Sequence, residues 1–294
     1  MTPPGPTVRD LIAAPHPDHA PLPPAAPAAP GVREMRGVPY AETDGGRPLE
    51  LDLWRPEGPP VGPLPLVLFV HGGAWRRGRR DDMGLRTRHW NPRPFARIAA
   101  EGFAVACVDY RLSGEAVFPA PLDDLRAALR WLTLRSAELG IDTARTVVWG
   151  ESAGGHLASL LALTGPPLAG AVIWYGPSDL TTARGGFSPE DPGTPEARML
   201  GAAPADAPDR ARLASPVARV GPAAPPFLLV HGEQDTMVDC SHSRSLAAAL
   251  EQAGGDVELW TVDGADHGWH HLSDDRVGEI FTRSLAFAVR RATP

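Results

Sequence analysis

Residues 147–155 read Val147-Val148-Trp149-Gly150-Glu151-Ser152-Ala153-Gly154-Gly155. An apolar, β-branched run leads into G-x-S-x-G, and His156 to Leu163 continue in a helical pattern rich in leucine and alanine. A strand that turns sharply into a helix lifts a serine hydroxyl clear of the sheet edge, the arrangement called a nucleophile elbow. Such a turn is strained and tolerates only small neighbours, a role open to Gly150 and Gly154. The helix behind it aims free N–H groups and its positive end at the serine, where negative charge developing on a substrate oxygen is stabilised. Five-residue patterns with two glycines also arise by chance. The strand before and the helix after make Ser152 a candidate nucleophile, and the rest of the chain must supply its partners.

Outward from the elbow, apolar runs and helical patterns alternate. Leu64 to Val70 is continuously apolar, as a strand buried on both faces should be. Pro94 to Glu101 reads as a helix, Phe103 to Asp109 as a strand, and Leu122 to Leu139 as one long helix with Leu125, Ala128, Leu129 and Leu132 on a single face. Past the elbow helix come a strand over Ala169 to Tyr175, a strand over Phe227 to Val230, a helix over Ser243 to Ala253, a strand over Val257 to Val262 and a last helix over Asp275 to Arg290. Nearer the start, Gly37 to Ala41 and Leu49 to Trp54 read as two antiparallel strands joined through Asp44-Gly45-Gly46-Arg47. Leu49, Leu51 and Leu53 alternate with Glu50 and Asp52, which predicts a strand with one wet face. Together these elements predict an α/β fold, a mostly parallel central sheet with helices on both faces.

Two stretches stand outside the alternation. Residues 1–31 are rich in proline and alanine and read as a tail or a flap, with Val8 to Ala14 as a candidate short helix, so the folded domain is expected over 32–294. The stretch lacks the basic start and apolar core of a secretory signal, and no run of about eighteen apolar residues occurs, so a cytoplasmic location without a membrane span is expected. Gly176 to Pro226 is long, dense in Pro, Gly, Ala and Arg, and follows a strand at the edge of the sheet where ligands bind in open α/β folds. It reads as a small cap or lid with a short helix near Glu196 to Leu200; the plainer alternative is a surface excursion without a role.

An acyl-transfer serine needs a base, an acid to orient the base, and an oxyanion hole. After the Phe227–Val230 strand comes His231-Gly232-Glu233-Gln234-Asp235-Thr236-Met237-Val238, and after the Val257–Val262 strand comes Asp263-Gly264-Ala265-Asp266-His267-Gly268-Trp269. Both loops leave the carboxyl ends of strands, at the rim that holds the elbow. The order Ser, Asp, His selects Asp235 as acid and His267 as base. Asp239 is the main rival acid, Asp263 and Asp266 are weaker ones, and His270 and His271 lie further from the strand end. His71-Gly72-Gly73-Ala74-Trp75 follows the Leu64–Val70 strand directly. A Gly-Gly turn there frees backbone N–H groups, so Gly72 and Gly73 would donate to an oxyanion from one side and Ala153 from the other. His71 is expected to prop this loop rather than to act as the base.

Composition narrows the chemistry. The 294 residues carry a formal net charge of -7 with no basic face suggested, which argues against a nucleic-acid partner. All 28 basic residues are arginine, which excludes a Schiff-base lysine, a P-loop lysine and S-x-x-K hydrolases. Cys107 and Cys240 suggest no disulfide framework, in keeping with a reducing compartment. Arg76-Arg77-Gly78-Arg79-Arg80, balanced by Asp81-Asp82, reads as a solvated loop; the sharper alternative is an arginine that binds an acidic substrate at the mouth. Trp174 and Tyr175 lie at a strand end, while Trp75 and Trp269 adjoin the candidate catalytic loops and are the better candidates for a substrate pocket.

The chain resembles the α/β-hydrolase superfamily, on its hormone-sensitive-lipase-like esterase side, and within that the carboxylesterases related to feruloyl esterases and kynurenine formamidase. The resemblance rests on HGGAW (71–75), DYRL (109–112), GESAGGHLA (150–158), HGEQDTMV (231–238) and GADHGW (264–269), and covers the chain from about Val32 onward. It implies Ser152, Asp235 and His267 as a catalytic triad, Gly72, Gly73 and Ala153 as oxyanion donors, an acyl-enzyme intermediate, a small-molecule ester substrate, and neither metal nor cofactor. An arylformamidase or amidase using the same triad is the alternative, and a non-catalytic hydrolase-fold binding protein a further one. Glu151 departs from the Asp often found there in related esterases, and Ala74 replaces the third glycine of the lipase-type HGGG, which favours the formamidase-like side.

Overall fold

The computed structural model describes residues 16–43, 45–58 and 61–293. The expected helix over Val8 to Ala14 and Asp44 of the expected turn lie outside them. Among the described residues nine strands form one sheet: β1 (Ala26–Ala29), β2 (Val32–Ala41), β3 (Leu49–Pro56), β4 (Leu64–Val70), β5 (Ala104–Val108), β6 (Ile141–Glu151), β7 (Gly170–Trp174), β8 (Phe227–Gly232) and β9 (Val257–Val262). Their order is β1-β2-β3-β5-β4-β6-β7-β8-β9. The first three pairings are antiparallel and the other five parallel, so the sheet is mixed and mostly parallel, as expected.

The helices are α1 (Pro94–Ala100), α2 (Ala120–Leu134), α3 (Ser136–Leu139), α4 (Ala153–Thr164), α5 (Pro195–Leu200), α6 (Pro208–Leu213), α7 (Ser241–Gln252) and α8 (Asp274–Ala292). They bury the sheet from both sides, and the strands read accordingly. In β4, Leu66, Leu68 and Val70 face a core shared with α2, α4 and α7, while Val67 and Phe69 face a second core shared with α1 and α8. Side chains of a strand alternate between faces, so a strand covered on both must be apolar throughout. Among the described residues no helix is long and apolar enough to cross a membrane.

Three expectations are corrected. The long helix over Leu122 to Leu139 is two, parted at Arg135, whose guanidinium turns inward to the carbonyls of Pro17 and Ala20 at 3.2 and 2.8 Å. The same contact shows that the domain begins before Val32. The chain from His16 is pinned to α2, where Trp131 Nε1 also donates to Pro17 O at 2.9 Å, and β1 adds an edge strand. Third, the polar face of β3 is wet only in part: Glu50 is half-buried and Asp52 is covered. Asp52 is 1% exposed and accepts from the Gly37 amide at 2.8 Å and from Arg80 Nε at 2.9 Å. Period-two alternation signals polarity, and a buried ion pair satisfies it as well as water does.

The 176–226 stretch carries the short helix expected near Glu196, as α5, together with α6 and two single 3-10 turns at Pro204–Asp206 and Pro216–Arg219. It is fastened to the sheet rim. Arg184, 5% exposed, pairs with Glu196, equally buried, and also donates to Met237 O at 2.8 Å, on the loop after β8. Removing one partner of a buried ion pair leaves the other charge uncompensated. Glu196→Ala is therefore expected to lower unfolding stability by about 3 kcal/mol, read as a drop in the urea midpoint.

Candidate active site

β6 ends at Glu151 and α4 starts at Ala153, so Ser152 alone makes the turn, with φ 53° and ψ −123°. A non-glycine residue at positive φ is strained and must be held by its surroundings. The Ser152 amide donates to Trp174 O at 2.9 Å, and Ser152 O accepts from the His156 amide at 3.0 Å. A Cβ on Gly150 would lie well under 3.0 Å from Gly154 O, and one on Gly154 would meet the carbonyls of Val70 and His71 as closely. These neighbours are backbone and cannot swing aside. Gly154→Ala is accordingly expected to cost about 2–3 kcal/mol of stability, measured by urea unfolding of otherwise intact protein.

His267 opens a single 3-10 turn after β9, with Asp266 as its N-cap. Its Nε2 stands 3.0 Å from Ser152 Oγ and its Nδ1 2.7 Å from Asp235 Oδ2. The other Asp235 oxygen accepts from the Met237 and Val238 amides at 2.9 and 2.8 Å. Burial acts to raise the Asp235 carboxyl, but hydrogen bonds from His231 and His267 and the charge of His267 outweigh it and hold the pKa far below the usual carboxylate range. The structure brings Ser152, His267 and Asp235 into one chain of hydrogen bonds. It gives the rival acids other work. Asp239 accepts from the Ser241 amide at 2.8 Å, Asp263 from Gln234 at 3.2 Å, and Asp266 from the Thr236 and His267 amides at 2.8 and 2.7 Å. His270 and His271 pack against each other with tilted rings, centroids 4.6 Å apart.

The loop after β4 is braced as expected by His71, whose Nδ1 lies 2.7 Å from Gly72 O and whose ring stacks on Tyr110 with centroids 4.4 Å apart. One oxyanion assignment is corrected. The Gly72 amide donates to Glu151 Oε1 at 2.8 Å and is not free for a substrate. The Gly73 amide makes no such bond among the described residues, and the Ala153 amide is the first of a helix and has no intrahelical acceptor. Gly73 and Ala153 therefore remain as the candidate donors.

The pocket assignments are corrected as well. Trp75 and Trp269 are each 1% exposed; both indoles are packed inside and neither presents a face to an open pocket. Trp269 packs on Trp174 and Tyr175, at centroid distances of 5.5 and 4.7 Å. A cavity of about 730 Å³ between α2, α4 and the insertion is lined by Phe118, Leu122, Leu160 and Leu213 and includes none of Ser152, Asp235 and His267. The arginine loop is only partly solvated: Arg76 and Arg77 are exposed, while Arg80 reaches Asp52 and Asp109 at 2.9 and 2.8 Å.

Three residues were named in the sequence reading without the contacts they make here. Glu151, buried beside the nucleophile, ties the elbow to the oxyanion loop. Burial raises its pKa against the opposing pull of His267, the Gly72 amide and Tyr175. Tyr175, at φ 38°, sets its ring edge-on to His267 with centroids 4.7 Å apart. His231, fully buried, points Nε2 at both Val238 O, at 2.8 Å, and Asp235 Oδ2, at 3.3 Å. Both neighbours only accept, so Nε2 carries a proton; Nδ1 lies 2.7 Å from Ser243 Oγ. The signals were the Glu inside G-x-S-x-G and a histidine four residues before the acid; neither reveals its partner.

The family model described as BD-FAE matches residues 51–250, and the chain belongs to that family. Within the α/β hydrolases it is similar to ethyl acetate hydrolase of Pseudomonas putida, with 32% identity over 249 residues, 78% of this chain and 74% of the relative. It is also 32% identical to esterase LipC of Mycobacterium tuberculosis over 243 residues, 78% of this chain and 59% of the relative. The chain spans about three fifths of the length of LipC and of a second mycobacterial relative, esterase LipQ. Among solved structures, a bacterial heroin esterase superposes with a TM-score of 0.69 at 28% identity, covering 90% of this chain and 86% of that one. A truncated carbohydrate esterase from gut microbiota gives 0.75 at 24% identity, covering 89% and 96%, a likeness of fold.

Proposed function

We propose that this protein hydrolyses small carboxylic esters through an acyl-enzyme on Ser152. The observation that carries the reading is the hydrogen-bonded line from Ser152 Oγ through His267 to Asp235. His267 takes the proton from Ser152 Oγ as the oxygen attacks the ester carbonyl. The resulting oxyanion is held by the Gly73 and Ala153 amides, assisted by the positive end of α4. His267 then hands the proton to the leaving alcohol, and water, activated by the same histidine, releases the acid.

The relatives named for ester hydrolysis support the reaction, and ethyl acetate hydrolase, matched over most of its length, supports short acyl and alcohol groups. A cytoplasmic location is proposed from the two cysteines, both buried and unpaired, since a reducing compartment leaves thiols free. The test compares p-nitrophenyl acetate, butyrate and decanoate with N-formylkynurenine. Acetate and butyrate are expected to exceed decanoate by at least about tenfold in kcat/KM. A preference for the formyl amide over all three esters would move the protein to the formamidase side.

A further inference from the structure

The oxyanion turn holds more strain than its glycines account for. After Gly73, at φ 112°, both Ala74 and Trp75 are left-handed, at φ 56° and 54°. Residues with a Cβ avoid this region, and two in succession need external support. Part of it comes from Ser113, whose amide donates to Trp75 O at 2.7 Å, and part from the Arg76 and Arg77 amides, which close on Gly73 O at 3.1 and 3.2 Å. The remainder comes from a side chain that the triad does not use. Trp75 Nε1 donates to His156 Nδ1 at 3.2 Å, with the two rings edge to face and centroids 5.1 Å apart. His156 Nε2 in turn lies 2.6 Å from Ala214 O, directly after α6 in the 176–226 insertion.

We infer that His156 is a positioning residue for the oxyanion turn, tying Trp75 to the insertion so that the amides beside Ser152 keep their places. The inference rests on the ester-hydrolysis reading above. The chemistry of the bridge selects the side chain. Ala214 O only accepts and the indole N–H only donates, so the link needs one donor and one acceptor on a rigid frame, which neutral imidazole supplies. Protonation would remove the acceptor and break the bond to Trp75. The ring is 0% exposed, and burial, opposed by the bond to Ala214, lowers its pKa to about 4, so the bridging form persists at neutral pH. His156 sits on the first turn of α4, the helix that also carries Ala153. One helix thus presents one oxyanion donor through its N-terminus and fixes the turn that carries the other through a side chain. The insertion gains a task different from a lid: it supplies the acceptor that anchors the back of the turn.

The test uses the full chain with Trp75→Phe, His156→Leu, His156→Gln and the Trp75→Phe/His156→Leu double variant. The first removes the indole N–H together with its five-membered ring and keeps a smaller aromatic ring in the buried site, which makes it informative even where His156→Leu folds poorly. The measurements are kcat and KM on p-nitrophenyl acetate, affinity for a trifluoromethyl ketone, which forms the tetrahedral adduct on the serine, and melting temperature. Trp75→Phe and His156→Leu are each expected to lower kcat by about tenfold or more, with KM changed less than about threefold, because the loss falls on oxyanion stabilisation in the transition state. Ketone affinity should fall by the same factor as kcat/KM, and the double variant should be no worse than the worse single. His156→Gln, which keeps one donor and one acceptor, should lose less than His156→Leu. An active wild type whose folded variants keep wild-type kcat, losing only melting temperature, would overturn the inference alone. A wild type that hydrolyses no ester would overturn the functional reading and this inference with it.

Discussion

Ser152→Ala is expected to lower kcat/KM on p-nitrophenyl acetate by about 10⁴-fold or more while leaving the fold intact. The magnitude follows from what the hydroxyl does. Ser152 Oγ is the atom His267 Nε2 faces at 3.0 Å, and alanine offers no atom to attack the carbonyl in its place. Water attacking directly would still meet the proposed oxyanion donors, the Gly73 and Ala153 amides, so a small residual rate is expected rather than none. The backbone should tolerate the change, since alanine has the same Cβ and the strained φ of 53° is enforced by the amide bonds to Trp174 O and from His156 N, neither of which involves the hydroxyl. Circular dichroism and the melting temperature should therefore match wild type. The variant should also fail to react with a fluorophosphonate probe that labels the parent. Ester turnover surviving in Ser152→Ala would place the nucleophile elsewhere and remove the case for the elbow.

What the sequence disclosed and what it withheld divide along a physical line. Patterns set by the chain's own periodicity were readable. The doubly buried β4, the amphipathic α2 and α8, and the strand–glycine–serine–helix turn are local, and each formed near its expected range, except that α2 ends at Leu134 where one helix to Leu139 was expected. Chain order also placed Asp235 and His267 at one rim, because loops that leave the carboxyl ends of neighbouring parallel strands must meet there. Pairings between distant residues were not readable. Asp52 looked wet because its partner Arg80 is 28 residues away, and Gly72 looked free because Glu151 is 79 residues away. Four aspartates on the two rim loops are alike in sequence. They differ in which amides already occupy their oxygens: Ser241, two residues on, for Asp239, and Thr236, thirty residues away, for Asp266. The Pro-Ala stretch before Val32 carries no periodicity, yet from His16 it is held by Trp131 and Arg135, whose side chains point back from a helix more than a hundred residues later.

Asp235→Asn should be nearly as damaging, a fall of about 10⁴-fold in kcat at neutral pH, and the surroundings of the carboxylate explain why an isosteric change is so costly. Oδ1 accepts from two backbone amides, Met237 and Val238, which only an oxygen can satisfy. The asparagine must therefore turn its amide nitrogen to the position of Oδ2. There it faces His267 Nδ1 and His231 Nε2. A donor opposite His267 Nδ1 forces the proton of the imidazole onto Nε2, and that nitrogen can no longer accept from Ser152 Oγ. Reaction with a fluorophosphonate should slow by a comparable factor, since the base is lost and the nucleophile is kept. Stability carries a second signature. The depressed native pKa of Asp235 means that its contribution is fully present above the unfolded-state value near 4 and is lost as pH falls below that value toward the native one. Wild type should thus lose unfolding free energy on acidification below about pH 4 more steeply than Asp235→Asn, which has no such group to protonate. An asparagine variant within tenfold of wild-type kcat would show that the acid lies elsewhere, with Asp239 and Asp266 the next residues to replace.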